Sequence, residues 1–312
     1  MSWHNAPLLN KLTATNLGGK RGAQIWGVDD KGTLYTTYQL SPGGGWSDWR
    51  GPGWNTKKQP DQIYELAAGI LNDGRAQLVV LDGKRQLWSV TQQTAGGLWN
   101  DWEGPNWNKP PGTQSLKKIT MVHSKGKTTL LGILDEGGLI WCQMLLPSGV
   151  TAWKDFPKTK EGLPWIEVVG CTQGINERGA LWGIDNKLQL WGIGQQDNGE
   201  WPNGWTGPNW LRAPKVRNIA AVDMRGAKGA TIWAITEDYK VIYNWQTAGG
   251  LDSWFGWHPG DTANELRAYE MTAATQNDGM GRVWVISLGQ LLTSQSMERS
   301  SHNWPRKWNP PV

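Results

Sequence analysis

Short apolar segments alternate with turn-forming residues along the whole chain. Residues 78–82 read LVVLD, and apolar and polar positions alternate in residues 34–39, which read LYTTYQ. Segments of four to seven residues with a period of two, separated by Gly, Asp, Asn and Pro, predict β-strands joined in hairpins. No stretch shows the 3.6-residue period of an amphipathic helix. The pattern therefore predicts an all-β protein.

The apolar pattern repeats six times. Its central column falls at positions 26, 79, 131, 182, 233 and 284, which are separated by 53, 52, 51, 51 and 51 residues. Six units of about 52 residues account for all 312 positions. A fixed period of this length indicates a repeat architecture in which each unit is one structural module.

Each unit contains four short segments. The first is small and apolar, as in residues 219–222 (IAAV), which suits strands crowded around a narrow axis. We predict a six-bladed β-propeller of four-stranded antiparallel blades, forming one domain over residues 1–312. Residues 1–10, which include Trp3, and the C-terminal Trp304 and Trp308 are the candidates for closing the ring. The predicted blades are residues 11–57, 58–109, 110–160, 161–212, 213–261 and 262–312.

The aromatic composition is unusual, with 24 Trp against six Tyr and two Phe. Trp differs from Phe by a wider face and an indole N–H. Two interpretations of these residues compete. In the first, tryptophans that alternate with apolar neighbours are predicted to pack between blades: Trp26, Trp182, Trp233 and Trp284. The Gly-Pro-x-Trp residues are predicted to hold blade edges together: Trp54, Trp107 and Trp210.

The aromatic residues near the Gly-rich bend are the candidate ligand-binding set. A pyranose has a face of C–H groups that a Trp ring complements, and hydroxyls that indole N–H and neighbouring polar groups can bind. Repetition of such a cluster on a rigid ring suits a glycan-binding protein. The candidates are Tyr35, Trp46, Trp49, Trp88, Trp99, Trp102, Trp141, Trp191, Trp205, Tyr243, Trp254 and Trp257.

Three runs, GTLYTTYQLSPGGGWSDW, RQLWSVTQQTAGGLWNDW and KVIYNWQTAGG, resemble the repeat of the Photorhabdus lectin-like β-propellers. That resemblance implies a lectin, often for fucose or O-methylated sugars, with sites between blades, and it adds Trp245 to the candidates. The match is sharp in repeats 1, 2 and 5 and degraded in the others, which implies fewer than six working sites. Tectonin-type and fungal fucose-lectin propellers are more distantly similar. The Ile-Arg-Glu signature of the fungal type is missing, so its Arg/Glu sugar site does not carry over.

The sequence offers no recognisable catalytic constellation. The four histidines have no metal-binding spacing, and nucleophile and phosphate-loop motifs are missing. We therefore predict no catalytic residue, no metal and no cofactor. The recurring Asp29, Asp82, Asp135 and Asp185 follow the second segment and are predicted to form turns. Two alternatives stay open: a lectin-like propeller reused as a biosynthetic cyclase with one aromatic pocket, and a protein-interaction scaffold.

Charge and targeting signals narrow the partners. The net charge is +4 and the basic residues are scattered, so no nucleic-acid partner is predicted. Neither a signal peptide nor an apolar run of about 20 residues is present, so we predict a cytoplasmic protein without membrane insertion, with later release left open. Cys142 and Cys171 are predicted to be small buried residues rather than a disulfide. A homodimer is compatible with all these features.

Overall fold

The computed structural model describes most of the chain. The described residues are 7–17, 22–41, 44–51, 54, 59–113, 115–124, 128–146, 149–156, 159, 161–173, 178–196, 200–223, 229–246, 254–260, 266–275, 281–287, 290–295 and 308. In these residues all regular structure is β-strand apart from one short 3-10 turn, Trp210–Arg212. None of the helical structure described is long and apolar enough to cross a membrane.

The strands form six antiparallel sheets that follow one another along the chain. The first holds β1 (Leu9–Asn16), β2 (Ala23–Asp29) and β3 (Leu34–Tyr38). The second holds β4 (Ile63–Ile70), β5 (Ala76–Asp82) and β6 (Leu87–Thr91). The third holds β7 (Leu116–Ser124), β8 (Thr128–Asp135) and β9 (Ile140–Leu146), with β10 (Gly149–Val150) and β11 (Lys154–Asp155) both paired to β9.

The remaining three sheets have the same plan. The fourth holds β12 (Trp165–Gln173), β13 (Arg178–Asp185) and β14 (Leu190–Gly194). The fifth holds β15 (Val216–Asp223), β16 (Ala230–Thr236), β17 (Val241–Trp245) and β18 (His258–Pro259). The sixth holds β19 (Ala268–Thr275), β20 (Gly281–Ser287) and β21 (Gln290–Gln295). We call these sheets blades 1 to 6.

The first strands of the blades form a closed ring. Strands β1, β4, β7, β12, β15 and β19 each contact the next, and β19 contacts β1. At the junction of blades 6 and 1, the rings of Trp284 and Trp46 meet edge to face with centroids 6.0 Å apart. Trp308 lies at blade 5, where its indole N–H donates to the Gly260 carbonyl at 3.1 Å. Trp3 and Trp304 lie outside the described residues.

The fourth segment of blades 1 to 5 is less regular than the sequence indicated. In blades 1, 2 and 4 it pairs with the third strand only through isolated bridges, such as Thr36 with Arg50 and Ser89 with Glu103. In blades 3 and 5 it contributes strands of two residues. The Gly-Pro pair explains part of this difference, because proline has no N–H to donate to a ladder. The prediction of four regular strands in every blade is thus not confirmed.

The hydrophobic core lies between neighbouring blades. Strand β5 is buried along its whole length, as is β16, because each blade packs against a neighbour on either side. Trp26, Trp182, Trp233 and Trp284 are all buried, as predicted for packing residues. At the interfaces of blades 1 and 2 and of blades 4 and 5, a second-strand tryptophan of one blade packs against the fourth segment of the next.

Candidate functional site

In blades 1 to 4, the aspartate that ends the second strand holds an aromatic residue of the third strand. The indole N–H of Trp88 donates to Asp82 Oδ2 at 2.9 Å, and Trp141 makes the same bond to Asp135. The other oxygen of Asp82 accepts two turn N–H groups, from Lys84 and Gln86. The predicted turn role of this aspartate is confirmed, and its bond to the indole is a second role that sequence reasoning missed.

The same arrangement recurs in two further blades. Trp191 donates to Asp185 at 2.8 Å, and the Tyr35 hydroxyl lies 3.4 Å from Asp29. A Cβ placed on Gly104 would lie 2.5 Å from Trp88 Cδ2, and one on Gly51 would lie 2.6 Å from Tyr35 Cδ1. The glycine before proline therefore packs directly on one ring face, and that face is closed to a ligand.

The first tryptophan of each fourth segment lies at a blade interface. Trp99 meets the second-strand Trp26 of blade 1 edge to face, with centroids 5.6 Å apart and planes at 89°. Trp54, the Gly-Pro-x-Trp residue of blade 1, lies 6.3 Å from Trp26 and 5.3 Å from Trp99. We call this mutual edge-to-face group of three a tryptophan trio.

A second trio joins blades 4 and 5 in the same arrangement. Trp182 lies 6.1 Å from both Trp210 and Trp254, and Trp210 lies 4.8 Å from Trp254. The interplanar angles are 68°, 83° and 78°, close to the 69°, 89° and 75° of the first trio. Val79 replaces the second-strand tryptophan in blade 2, so the interface of blades 2 and 3 lacks one of the three rings.

The trio of blades 4 and 5 borders a cavity of about 370 Å³. This volume lies within the range of about 300–1,000 Å³ typical of small-molecule sites. Polar groups come from the Gln195 amide and the Thr206 hydroxyl, and none of the described residues that line the cavity is charged. The lining residues are Trp182, Gly192, Ile193, Gly194, Gln195, Pro202, Gly204, Thr206, Trp210, Leu211 and Trp254.

A glycine and an oriented glutamine side chain shape this cavity. A Cβ on Gly192 would lie 2.9 Å from the indole nitrogen of Trp210, so only glycine lets that ring approach the strand. The Gln195 side chain is oriented because its Oε1 accepts the Gly179 N–H at 2.7 Å. Gln39, Gln92 and Gln246 make the equivalent bond in their own blades, and this recurrence is the signal that could have identified Gln195 from sequence.

The predicted ligand-binding residues divide by burial. Trp46, Trp102, Trp191, Trp205 and Tyr243 are buried, and Trp191 is only 1% exposed. These five pack in the core and offer no open face. Tyr35, Trp49, Trp88, Trp99, Trp141, Trp245, Trp254 and Trp257 are partly exposed. Among the predicted ligand-binding residues, Trp254 lines the cavity between blades 4 and 5. Trp182 and Trp210, which line it too, were predicted to be packing residues.

Blade 5 contains a continuous aromatic stack. Tyr243 and Trp245 stack with centroids 5.4 Å apart, and Trp245 stacks on Phe255 at 4.6 Å and 12°. Trp233 extends the stack inward from Tyr243, at 4.7 Å. Phe255 is 62% exposed and covers one face of Trp245. The exposed end of this stack is therefore Phe255, which the sequence did not single out.

The cysteines and histidines add no chemistry to this site. Cys142 and Cys171 are not joined by a disulfide. Burial raises the pKa of the Cys142 thiol to about 11 and also raises the pKa of Cys171, so both stay neutral near pH 7. Within the described part of the chain, no three His, Cys, Asp or Glu residues cluster as metal ligands. His4 and His302 lie outside the described residues.

Comparisons with known proteins identify the fold rather than a family. No protein-family model matches the chain, and no curated protein matches it. Solved structures do match over nearly the whole length. AofleA from Arthrobotrys oligospora has a TM-score of 0.70 at 13% identity, with all of this chain and 89% of AofleA covered.

Two lectins are similar at comparable levels. The fucose-specific lectin from Aleuria aurantia has a TM-score of 0.67 at 13% identity, covering 96% of this chain and 94% of the lectin. A lectin from Burkholderia pseudomallei has a TM-score of 0.60 at 16% identity, covering 96% and 83%. Another structure of the Aleuria aurantia lectin, with a TM-score of 0.63 at 12% identity, is described as a six-bladed β-propeller. The chain therefore has the six-bladed β-propeller fold that its repeat predicted.

Proposed function

We propose that this protein is a multivalent lectin that binds neutral sugars at the tryptophan trios between blades. The observation that carries the proposal is the cavity between blades 4 and 5, which is walled by tryptophan rings and has no charged group among its described lining residues. The trio between blades 1 and 2 supports multivalency, because its three tryptophans hold the equivalent positions at similar distances and angles. Two such sites lie at interfaces three blades apart on the ring.

The lining chemistry favours a sugar over other small ligands. Trp210 and Trp254 are partly exposed and can receive the C–H face of a pyranose, while Gln195 and Thr206 can bind its hydroxyls. A charged ligand would find no counter-charge among the described lining residues, and burying an unpaired charge costs several kcal/mol. The site therefore suits a neutral sugar, and fucose or an O-methylated sugar would place its methyl group among the indole rings.

The structural neighbours and the sequence resemblance agree with this proposal. The Aleuria aurantia protein is named as a fucose-specific lectin, and the Photorhabdus lectin-like repeat implies fucose or O-methylated sugars at sites between blades. The part of the cavity lining that the structure describes contains no Arg or Glu, which agrees with the missing Ile-Arg-Glu signature. We therefore propose membership of the Photorhabdus lectin-like group rather than of the fungal type.

Affinity at one trio is expected to be weak and avidity high. A shallow aromatic site gives an affinity near millimolar, about −4 kcal/mol. Linking two or more such sites on a rigid ring raises binding to a multivalent surface by orders of magnitude. A homodimer would add further sites, and it stays a prediction.

The decisive experiment compares tryptophans that occupy the same position of the repeat. A glycan array first identifies the sugar, and calorimetry with the free monosaccharide then gives its stoichiometry. Trp210→Ala removes one trio and Trp54→Ala the other, and each is expected to abolish one site, since losing a stacked ring costs about 1–3 kcal/mol. The double variant is expected to show no binding. Trp107→Ala, the matched control at an interface without a complete trio, is expected to keep the wild-type stoichiometry.

A more conservative substitution tests the binding site without removing a packed ring. Thr206→Val removes an exposed hydroxyl from the cavity without removing a ring, and we expect it to weaken binding at that site about tenfold. Unchanged stoichiometry in the folded double variant would place the sites elsewhere. An array without any bound glycan would contradict the lectin and leave the cyclase or scaffold alternatives.

A further inference from the structure

Six side chains meet at the axis of the ring, one from each blade. They occupy equivalent positions, because each follows the register shift near the start of the first strand in its blade. All but Lys11 line a cavity of about 100 Å³ at the axis, and Lys11 is joined to them by ion pairs. In chain order the six residues are Lys11, Glu65, Lys118, Glu167, Asn218 and Glu270.

Ion pairs join five of the six into a chain around the axis. Lys118 Nζ lies 2.8 Å from Glu167 and 3.1 Å from Glu65. Lys11 Nζ lies 3.0 Å from Glu270 and 3.9 Å from Glu65. Positive and negative groups therefore alternate from Glu270 through to Glu167, and every neighbouring pair except Lys11 and Glu65 lies within hydrogen-bond distance.

Asn218 interrupts the alternation. It stands between Glu167 and Glu270, at the position where a third lysine would complete the ring. Its side chain is 94% buried, since the residue is only 6% exposed, and within the described part of the chain Oδ1 accepts no hydrogen bond. Among the described residues, two ammonium groups face three carboxylates at the axis, which leaves one negative charge of this group without compensation. A buried acceptor and an uncompensated carboxylate are both costly unless something supplies positive charge.

We propose that the axial cavity binds one monovalent cation of the Na⁺ or K⁺ class between Glu167, Asn218 and Glu270. The donors are carboxylate and amide oxygens, which are the ligands that hard cations prefer. A single positive charge brings the ring to neutrality and satisfies Asn218 Oδ1. The cavity of about 100 Å³ has room for an ion with some water, since a water molecule occupies about 30 Å³.

An ion can reach this position along the axis. A second cavity of about 370 Å³ continues from the first and is lined by the small residues of the inner strands, such as Ala14, Ala68 and Ala221, which border both cavities. The sequence predicted no metal site, because its ligands come from three different blades and share no local spacing.

Thermal unfolding in different chloride salts tests the proposal. At fixed ionic strength, the wild-type protein is expected to unfold at least about 2 °C higher in NaCl or KCl than in N-methylglucammonium chloride, whose cation is too large for the cavity. Asn218→Lys supplies the missing ammonium, and its unfolding temperature is expected to be the same in all three salts. Gln93→Lys adds a charge on the exposed surface and is expected to keep the wild-type dependence.

A second variant and a crystallographic measurement test the cation site independently of Asn218→Lys. If Asn218→Lys does not fold, Asn218→Leu removes the oxygen ligand and is expected to lose the cation dependence. Crystals grown with thallium(I) are expected to show an anomalous peak between Glu167, Asn218 and Glu270. A wild-type unfolding temperature that ignores the cation, or a water molecule in place of thallium, would overturn the proposal. Glycan binding is expected to be equal in all these variants, so this result is independent of the lectin proposal.

Discussion

At the residue scale, a single aspartate in each of several blades binds both the turn after the second strand and an aromatic residue of the third strand. In blade 2, Asp82 accepts two turn N–H groups with one oxygen and the Trp88 indole with the other. Asp82 is buried. If its carboxylate were replaced by a group that cannot accept a hydrogen bond, the Trp88 indole N–H would be left without a partner. The turn and the third-strand aromatic are thus fixed by a single side chain.

Replacing this carboxylate by an amide isolates the indole bond. Asp82→Asn keeps one oxygen for the turn but presents an NH₂ to Trp88, and we expect a loss of about 1–3 kcal/mol in the free energy of unfolding. Asp48→Asn, at an exposed position, is the control and is expected to change it by less than about 0.5 kcal/mol. Urea unfolding measures both. Equal losses in the two variants would contradict the proposed role of the Trp88 bond.

Sequence reasoning at this scale succeeded where the cause is local. A turn-forming Asp is recognisable because its partners lie two and four residues away, as for Asp82 and Lys84. The accessibility of a tryptophan is different, because it depends on a neighbouring blade that is about 52 residues distant in sequence. Trp88 and Trp191 occupy the same position of the repeat, yet Trp88 is partly exposed and Trp191 is buried.

At the element scale, the fourth segment of a blade is held by packing more than by a ladder. Gly104 lies on the face of Trp88, and Glu103 makes the bridge to Ser89 just before it. The segment therefore needs a residue without a side chain at the point where it crosses the ring. This explains why a Trp-rich strand in the sequence becomes a bridged loop in the structure.

An alanine at this crossing is expected to be strongly destabilising. Gly104 has φ of +151°, and its Cβ would lie 2.5 Å from Trp88, so Gly104→Ala combines backbone strain with overpacking. Gly112→Ala is the control, because Gly112 has φ of +73° with open space around it and suffers only the strain, about 1 kcal/mol.

We expect the Gly104 variant to lose at least about 1 kcal/mol more than the Gly112 variant in urea unfolding. Identical losses would show that the ring does not confine this glycine.

At the scale of the whole molecule, the axial ring of charges ties all six blades together. Five charged side chains and one amide meet there, and four ion pairs connect them. Burial lowers the pKa of Lys118, but Glu167 and Glu65 raise it, and the net pKa lies well above the usual 10.5. For Lys11 the same opposition, with Glu270 as the main carboxylate, also leaves the pKa raised.

These lysines predict a loss of stability in alkali. Their folded-state pKa values exceed 10.5, so their stabilisation is complete below about pH 10.5 and is lost as the pH rises above it. The groups that face them are Glu65, Glu167 and Glu270, with Asn218 neutral. Urea unfolding between about pH 9 and 11.5 is expected to show a steeper decline for the wild type than for Lys118→Met combined with Glu167→Gln. Parallel declines would contradict the prediction, since tyrosine titration is common to both proteins.

The sequence by itself determined the architecture. A repeat of about 52 residues, with strand-length apolar segments and small residues in the first of them, specifies six similar modules that can bury their faces only against one another. These are local patterns that recur along the chain.

Only the tertiary structure decided which aromatic residues face a cavity and which fill the core. Trp182, Trp210 and Trp254 meet because two blades pack side by side, and Glu167, Asn218 and Glu270 meet because the ring closes on its axis. Such sites are built from residues that share no local spacing. Their chemistry therefore appears only once long-range packing has fixed the distance and angle between blades.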